Sequence, residues 1–477
     1  MKLQPSRFML VLACVLSVVA SGCSDKNEKD ARQDSKVEIN LDPYPSTYTP
    51  IPGKPTVIKN VTILDGIGNK IDNGEIFFTD GKVTAIADTS LGQSLDIPDN
   101  AIVIDGKGKW VTPGIIDNHS HLGVYPSPST RSHSDGNEMV NPITAQVWAE
   151  HSVWPQDPGF NRALEGGITA LQILPGSANL VGGRSVVLKN VPNRTMQSMK
   201  FPEAPYGLKM ACGENPKRVY GQKGGPMTRM GNVAGYRQAW SDAQDYMRKW
   251  ARYEQEYKEG KNPKAPKRDL KLETLAGVLS GDIRVHMHCY RADEMSVMMD
   301  VMKEFNYQIS SFHHAVEAYK IADKLKENNV CSSMWANWWG FKMEAYDGIR
   351  ENIPMVHAAG ACAIVHSDSD LGIQRLNQEA AKAWSDGKRA GLDIPMEQAW
   401  TWLSANPAKS LGIFDKTGSL EVGKQADIVL WTGNPFSTYT KAERVYIDGG
   451  LAFSLYDEES WPVSDFELGQ VGEGDKK

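Results

Sequence analysis

The sequence predicts an α/β fold in which a (β/α)8 TIM barrel carries a small β-sandwich built from both ends of the chain. Three observations lead there. The middle of the chain alternates strand-like and helix-like patterns, and β-rich runs with turn signals flank it on both sides. The 477 residues, 41% hydrophobic and 23% charged, suffice for one large core and one small one.

The chain opens with Lys2 and Arg7, an apolar run from Phe8 to Ala20, and small residues before Cys23. This is the pattern of a signal peptide over residues 1–22, with an apolar run too short to span a bilayer as a helix. Ser21-Gly22-Cys23 resembles the lipobox of bacterial lipoproteins, in which the cysteine is acylated, although Ala20 stands where that pattern prefers Leu. Cys23 is therefore the candidate for lipidation, and residues 23–50 read as a polar tether. The expected location is the periplasmic side of a bacterial envelope, at the outer membrane, with the membrane met only through the N-terminal lipid anchor. A formal charge of −6, more negative still without Lys2 and Arg7, argues against nucleic acid as a partner. The sequence leaves open whether the protein is a homo-oligomer. Beyond the leader, Cys212, Cys289, Cys331 and Cys362 are widely scattered in apolar stretches, which predicts buried free thiols rather than a disulfide framework.

Residues 51–110 form the first part of the expected sandwich. They contain TVIKNVTIL and GEIFFTDGKVTAIA, the latter with Asp80-Gly81 at a hairpin turn. Residues 416–477 supply the second part and a tail, with strands in ADIVLW and RVYIDGGLAF. Neither piece can build a stable core alone, so their pairing brings the ends of the barrel region, residues 111–415, together. Within that region NRALEGG, ADEMSVMMDVMKEF and VEAYKIADKLKENN read as helices. ITALQIL, DIRVHMHC, YQISSFHH, VCSSMW and CAIVHSD read as strands. Residues 221–268, with Tyr236, Trp240, Trp250, Tyr253 and Tyr257 at near-helical spacing, read as an inserted amphipathic helix. Pro175 to Asn190 reads as a Gly-rich loop able to present backbone amides to a carboxylate.

In such a barrel the chemistry sits at the C-terminal ends of the strands. His119 and His121 end the first strand on one face, His288 ends RVHMH, His314 ends ISSFHH, and Asp368 ends AIVHSD. Four imidazoles and a carboxylate at one rim suit a borderline divalent cation such as zinc, and manganese or cobalt fit the same donors. His286 shares a strand face with His288, His313 adjoins His314, and His366 and Asp370 flank Asp368, so each assignment has a neighbour that could replace it.

The pattern resembles the amidohydrolase superfamily over nearly the whole chain from Thr56 to about Phe453. VTPGIIDNHSHLG looks like that family's first-strand motif, LSANPAKSLGI like its late helix, and GSLEVGKQADIVLW like its return into the sandwich. The closer similarity is to imidazolonepropionase-like, isoaspartyl dipeptidase-like and Xaa-Pro dipeptidase-like members. The resemblance implies hydrolysis of an amide, cyclic amide or dipeptide-like bond in a small molecule by a metal-activated water. It implies two divalent cations, with His119 and His121 at the more buried one and His288 and His314 at the other. Asp368 would be both ligand and general base. Lys209 in GLKMA resembles the family's bridging, carboxylated lysine, and Glu214 five residues on is the alternative bridge. HCYRADE and HAVEA resemble the family segments that favour His288 and His314. His286, Tyr290, Arg291 and Arg229 are then the candidates for substrate contact. A mononuclear aminohydrolase (deaminase) is the rival within the superfamily; it would place a glutamate three residues after the fifth-strand histidine. Here Arg291 follows His288 at that spacing and Cys289 follows His286. A non-catalytic, lipid-anchored binding protein is the rival from another class.

Overall fold

The structure is a computed structural model that describes residues 36–458 and residue 461; the leader and Cys23 lie outside the described residues. Among the described residues, sixteen strands fall into two sheets. The barrel is built from β6 (Ile115–Ser120), β7 (Ile168–Ile173), β8 (Val181–Lys189), β9 (Gly207–Ala211), β10 (Arg284–His288), β11 (Ile309–His313), β12 (Cys331–Met334) and β13 (Ala363–Val365), in that spatial order. Helices cross over between the parallel strands, including Ala292–Phe305 where the sequence reading placed it and Ala322–Glu327, which with the 3-10 turn Ala318–Ile321 before it covers only part of the longer helix read in VEAYKIADKLKENN. Beyond β13 the chain returns to β6, where the Asp368 N–H donates to the His119 carbonyl at 3.1 Å, so the sheet nearly closes on itself.

Two features depart from the sequence expectation. The Gly-rich segment is a loop only over residues 175–180: Val181–Lys189 is a buried strand that runs antiparallel to both neighbours, so the barrel is not wholly parallel. Its charges disguise it. Arg184 lies under the Trp148 ring at 4.0 Å and donates to Thr274 and to the Leu41 carbonyl. Lys189 is buried against Asp427 and Asp448 of the neighbouring sheet at 3.0 and 3.1 Å. Each buried cation has its partner, which is what makes its burial tolerable.

The four cysteines are not free thiols either. Cys212 pairs with Cys289 and Cys331 with Cys362. Wide separation in sequence concealed both pairs, because each joins residues at the ends of adjacent parallel strands. Cys212–Cys289 ties the strand that carries Lys209 to the strand that carries His288. Replacing both cysteines of this pair by alanine is expected to lower stability by about 2–4 kcal/mol, measured as a shift in urea midpoint; an unchanged midpoint would mean that the bridge constrains nothing.

The second sheet comprises β1 (Thr56–Leu64), β2 (Lys70–Thr79), β3 (Lys82–Asp88), β4 (Ile102–Asp105), β5 (Trp110–Pro113), β14 (Ile428–Trp431), β15 (Ala442–Ile447) and β16 (Gly450–Ser454). β5 pairs with β14, and this joins the two ends of the chain. Hydrogen bonding runs continuously in the order β16-β15-β14-β5-β1-β2-β3, with β4 beside β1. Asp80-Gly81 and Asp448-Gly449 make two tight hairpins, all four residues at positive φ, as the sequence suggested for the first. The inserted helix runs Arg229–Lys258 and buries Tyr236, Trp240 and Tyr253 against the barrel. Residues 36–49, expected to be tether, are fixed in place: Val37 N–H donates to Tyr253 Oη of the inserted helix (3.0 Å), Lys200 between β8 and β9 pairs with Asp42 (2.7 Å), and Tyr48 Oη donates to Asp448 of the second sheet (2.8 Å).

Candidate metal centre

The strand period of two sets the first ligands: Asp117, His119 and His121 alternate with residues facing away, so all three side chains point into the barrel. His119 Nε2 and His121 Nε2 lie 3.3 Å apart. Asp368 Oδ1 is 3.3 Å from the first and 3.2 Å from the second, and Lys209 Nζ is 3.4 Å from His119 Nε2. His314 Nε2 approaches Asp368 Oδ2 at 3.7 Å, and the His288 and His314 rings are 5.0 Å apart. Two of these residues reach the rim through unusual backbone. His314 and Asp368 have φ of 59° and 51°, the left-handed region, and this turns His314 inward although it directly follows inward-facing His313.

The donor set fits a cation. His121 Nδ1 is 2.8 Å from the Leu174 carbonyl, so it carries a proton, and in the neutral ring Nε2 is then a lone pair. That lone pair faces a carboxylate oxygen at 3.2 Å, an arrangement of two acceptors that a positive ion between them would relieve. His288 Nδ1 is buried without a hydrogen-bond partner. Burial pushes the imidazoles of His119, His288 and His314 well below the ordinary histidine range, which leaves them neutral and able to donate lone pairs. Burial opposes ionisation of Asp368, but positive charge at the facing His314 and His121 positions, of the kind a cation held among these lone pairs would supply, holds its carboxyl well below the usual carboxylate range. Burial lowers the Lys209 amine to about 7, so its neutral form is populated at physiological pH.

Behind these groups lies a second layer. His119 Nδ1 meets His313 Nδ1 at 2.8 Å, and His313 Nε2 meets His286 Nδ1 at 3.1 Å. If His119 donates to His313 and His313 to His286, His119 Nε2 is left free to bind a metal. His366 Nε2 similarly meets His314 Nδ1 at 2.8 Å. Thus His313, His286 and His366 support the rim imidazoles. Asp117 accepts from Ser367 Oγ, from His119 N at 3.1 Å and from Ser367 N at 3.3 Å, clasping the first and last barrel strands beside Asp368. Its burial raises its carboxyl to about 7. The sequence reading passed over Asp117, although its spacing from His119 carries the signal.

Other candidates are placed differently. Glu214 pairs with Lys342 at 3.3 Å, while Lys209 reaches His119. Arg229 is held by Glu294 at 3.0 Å and Glu344 at 2.7 Å, and Arg291 by Asp293 at 2.9 Å. Tyr290 stands edge-on to His288, ring centres 4.6 Å apart. Asp370 lies beyond the cluster at the start of the next turn.

Comparison with known proteins supplies the family. An amidohydrolase of known structure from Thermotoga maritima MSB8 is 34% identical, superposes with a TM-score of 0.75, and is matched over 84% of this chain and 100% of its own. The chain belongs to the amidohydrolase family. The family model for amidohydrolases matches residues 279–452, which include His288, His314 and Asp368. Amidohydrolase tasK of Hapsidospora irregularis is 31% identical over 84% of this chain, which spans only 43% of that relative's length. A 5-methylthioadenosine/S-adenosylhomocysteine deaminase of Halalkalibacterium halodurans is 36% identical over 22% of each chain. This amidohydrolase is accordingly a hydrolase, of a family that acts on carbon–nitrogen bonds and typically depends on metal.

Proposed function

We propose that this amidohydrolase cleaves the carbon–nitrogen bond of an amide, cyclic amide or dipeptide-like small molecule. Two divalent cations, zinc first among the metals its donors suit, would be held by His119, His121, Lys209, His288, His314 and Asp368. The observation that carries this reading is the lone-pair contact of His121 Nε2 with Asp368 Oδ1, beside His119 Nε2 and Lys209 Nζ. The neutral Lys209 amine suits uptake of carbon dioxide as a carbamate, which would add two oxygen donors to the set that would hold the cations. Bound cations provide Lewis acidity toward a carbonyl oxygen and make hydroxide available near neutral pH.

The chain's own groups do the rest. Ionised Asp368 takes a proton from the attacking water and returns it to the leaving nitrogen as the C–N bond breaks and a C–O bond forms. The His313–His286 and His366 contacts fix the imidazole tautomers, and Asp117 holds the backbone that carries Asp368. Export and lipidation at Cys23 belong to the same proposal, and the two disulfides support an oxidising compartment.

The test is a hydrolysis screen of N-acyl amino acids, dipeptides and cyclic amides with protein purified without chelator. Amine-releasing turnover that is lost on metal removal and restored by zinc or manganese is the expected result. Release of ammonia from amino-substituted heterocycles, with no amide cleaved, would replace this reading with the deaminase one.

A further inference from the structure

We infer that residues 335–346 form an aromatic wall that binds a planar or bulky uncharged group of the substrate beside the proposed metal centre; this rests on the hydrolytic reading above. Trp335 follows β12 and stacks on the His314 ring, with centres 4.4 Å apart and planes 24° apart. Its Nε1 donates to the Ser367 carbonyl at 3.1 Å, which fixes the ring. Trp338 lies 5.6 Å and Phe341 5.9 Å from Trp335, and Phe341 is 6.2 Å from Tyr290, which itself abuts His288. An unbroken series of rings therefore runs from His314 and His288 out to solvent.

Its outer members are not packed away. Trp338 is 49% and Phe341 58% exposed, and Met343 and Tyr346 are exposed close by in the chain. Single exposed hydrophobics are ordinary, but a cluster continuous with a candidate active site marks a place where apolar surface is covered by a ligand. Flat, rigid rings favour a planar or bulky partner, which they meet by stacking or edge contact. The cations nearby are already neutralised: Lys342 lies over the Tyr290 ring at 4.3 Å and pairs with Glu214, while Arg229 pairs with Glu344. An anionic substituent would find no unclaimed charge among them, and for this reason the group is assigned as uncharged.

The experiment compares acetohydroxamate with 2-naphthohydroxamate, which share a metal-chelating head and differ in the tail, by calorimetric titration of the metal-loaded protein. The naphthyl compound is expected to bind at least tenfold more tightly. Trp338→Ala and Phe341→Ala should each cut that ratio threefold or more and leave acetohydroxamate affinity unchanged; both side chains are about half exposed, so folding is not at stake. A ratio that survives both substitutions, or no naphthyl preference in the parent, overturns the wall. If acetohydroxamate fails to bind, the metal reading fails instead, and the wall is then judged by non-chelating naphthalene-2-carboxamide against the same two variants.

Discussion

Asp368→Asn is expected to lower kcat/KM for any substrate found by about 10³-fold or more while leaving the fold intact. The substitution is close to isosteric, and asparagine tolerates the positive φ of this position, so the backbone bond from residue 368 to the His119 carbonyl survives. What is lost is the negative charge that faces His119, His121 and His314. Without it there is no group to accept the water's proton, and metal affinity weakens as well. Steady-state kinetics, paired with circular dichroism and a thermal melt, check this. Activity above about a tenth of the parent's would remove Asp368 from the proton-transfer role.

Lys209→Met should have opposite effects with and without metal. Lys209 is fully buried, and burial lowers its amine from 10.5 to about 7. Between those values the unfolded chain binds the proton and the folded chain does not, so the lysine's contribution to stability falls as pH drops from about 10.5 to about 7 and stays low below that. At neutral pH this costs the metal-free protein roughly 3–5 kcal/mol. Methionine fills the same space without a charge. The metal-free variant should therefore be more stable than the metal-free parent at pH 7, and the gap should shrink as pH approaches 10. In metal the order should reverse, since the variant lacks the amine proposed to hold the cations. Urea melts of chelator-treated proteins at the two pH values check this; a constant gap, or none, would contradict it.

Much of this site was legible in the sequence because strand periodicity is legible. His119-x-His121 and His286-x-His288 declare their shared faces by spacing alone, and Lys209 sits in a short apolar run with the same alternation. Which of His313 and His314 reaches the rim was not legible from alternation, because the left-handed turn at His314 is a tertiary feature that brings consecutive residues to one side. Val181–Lys189 failed for a different reason: glycines and charges normally signal a loop, and only the partners of Arg184 and Lys189, distant in sequence, make it a strand. The disulfides failed likewise, since their proximity is created by strand order. Trp335 was read as the end of a strand, but its contact with His314 depends on how the barrel brings β11 and β12 side by side.

The central claim is that the HSH strand, Lys209 and the later histidines make one binuclear centre. Metal content per chain, measured by inductively coupled plasma mass spectrometry on protein purified without chelator, tests it most directly. Two divalent ions are expected in the parent, with a clear loss in Lys209→Met. Protein that holds no metal above background, even after loading with zinc or manganese, would contradict it.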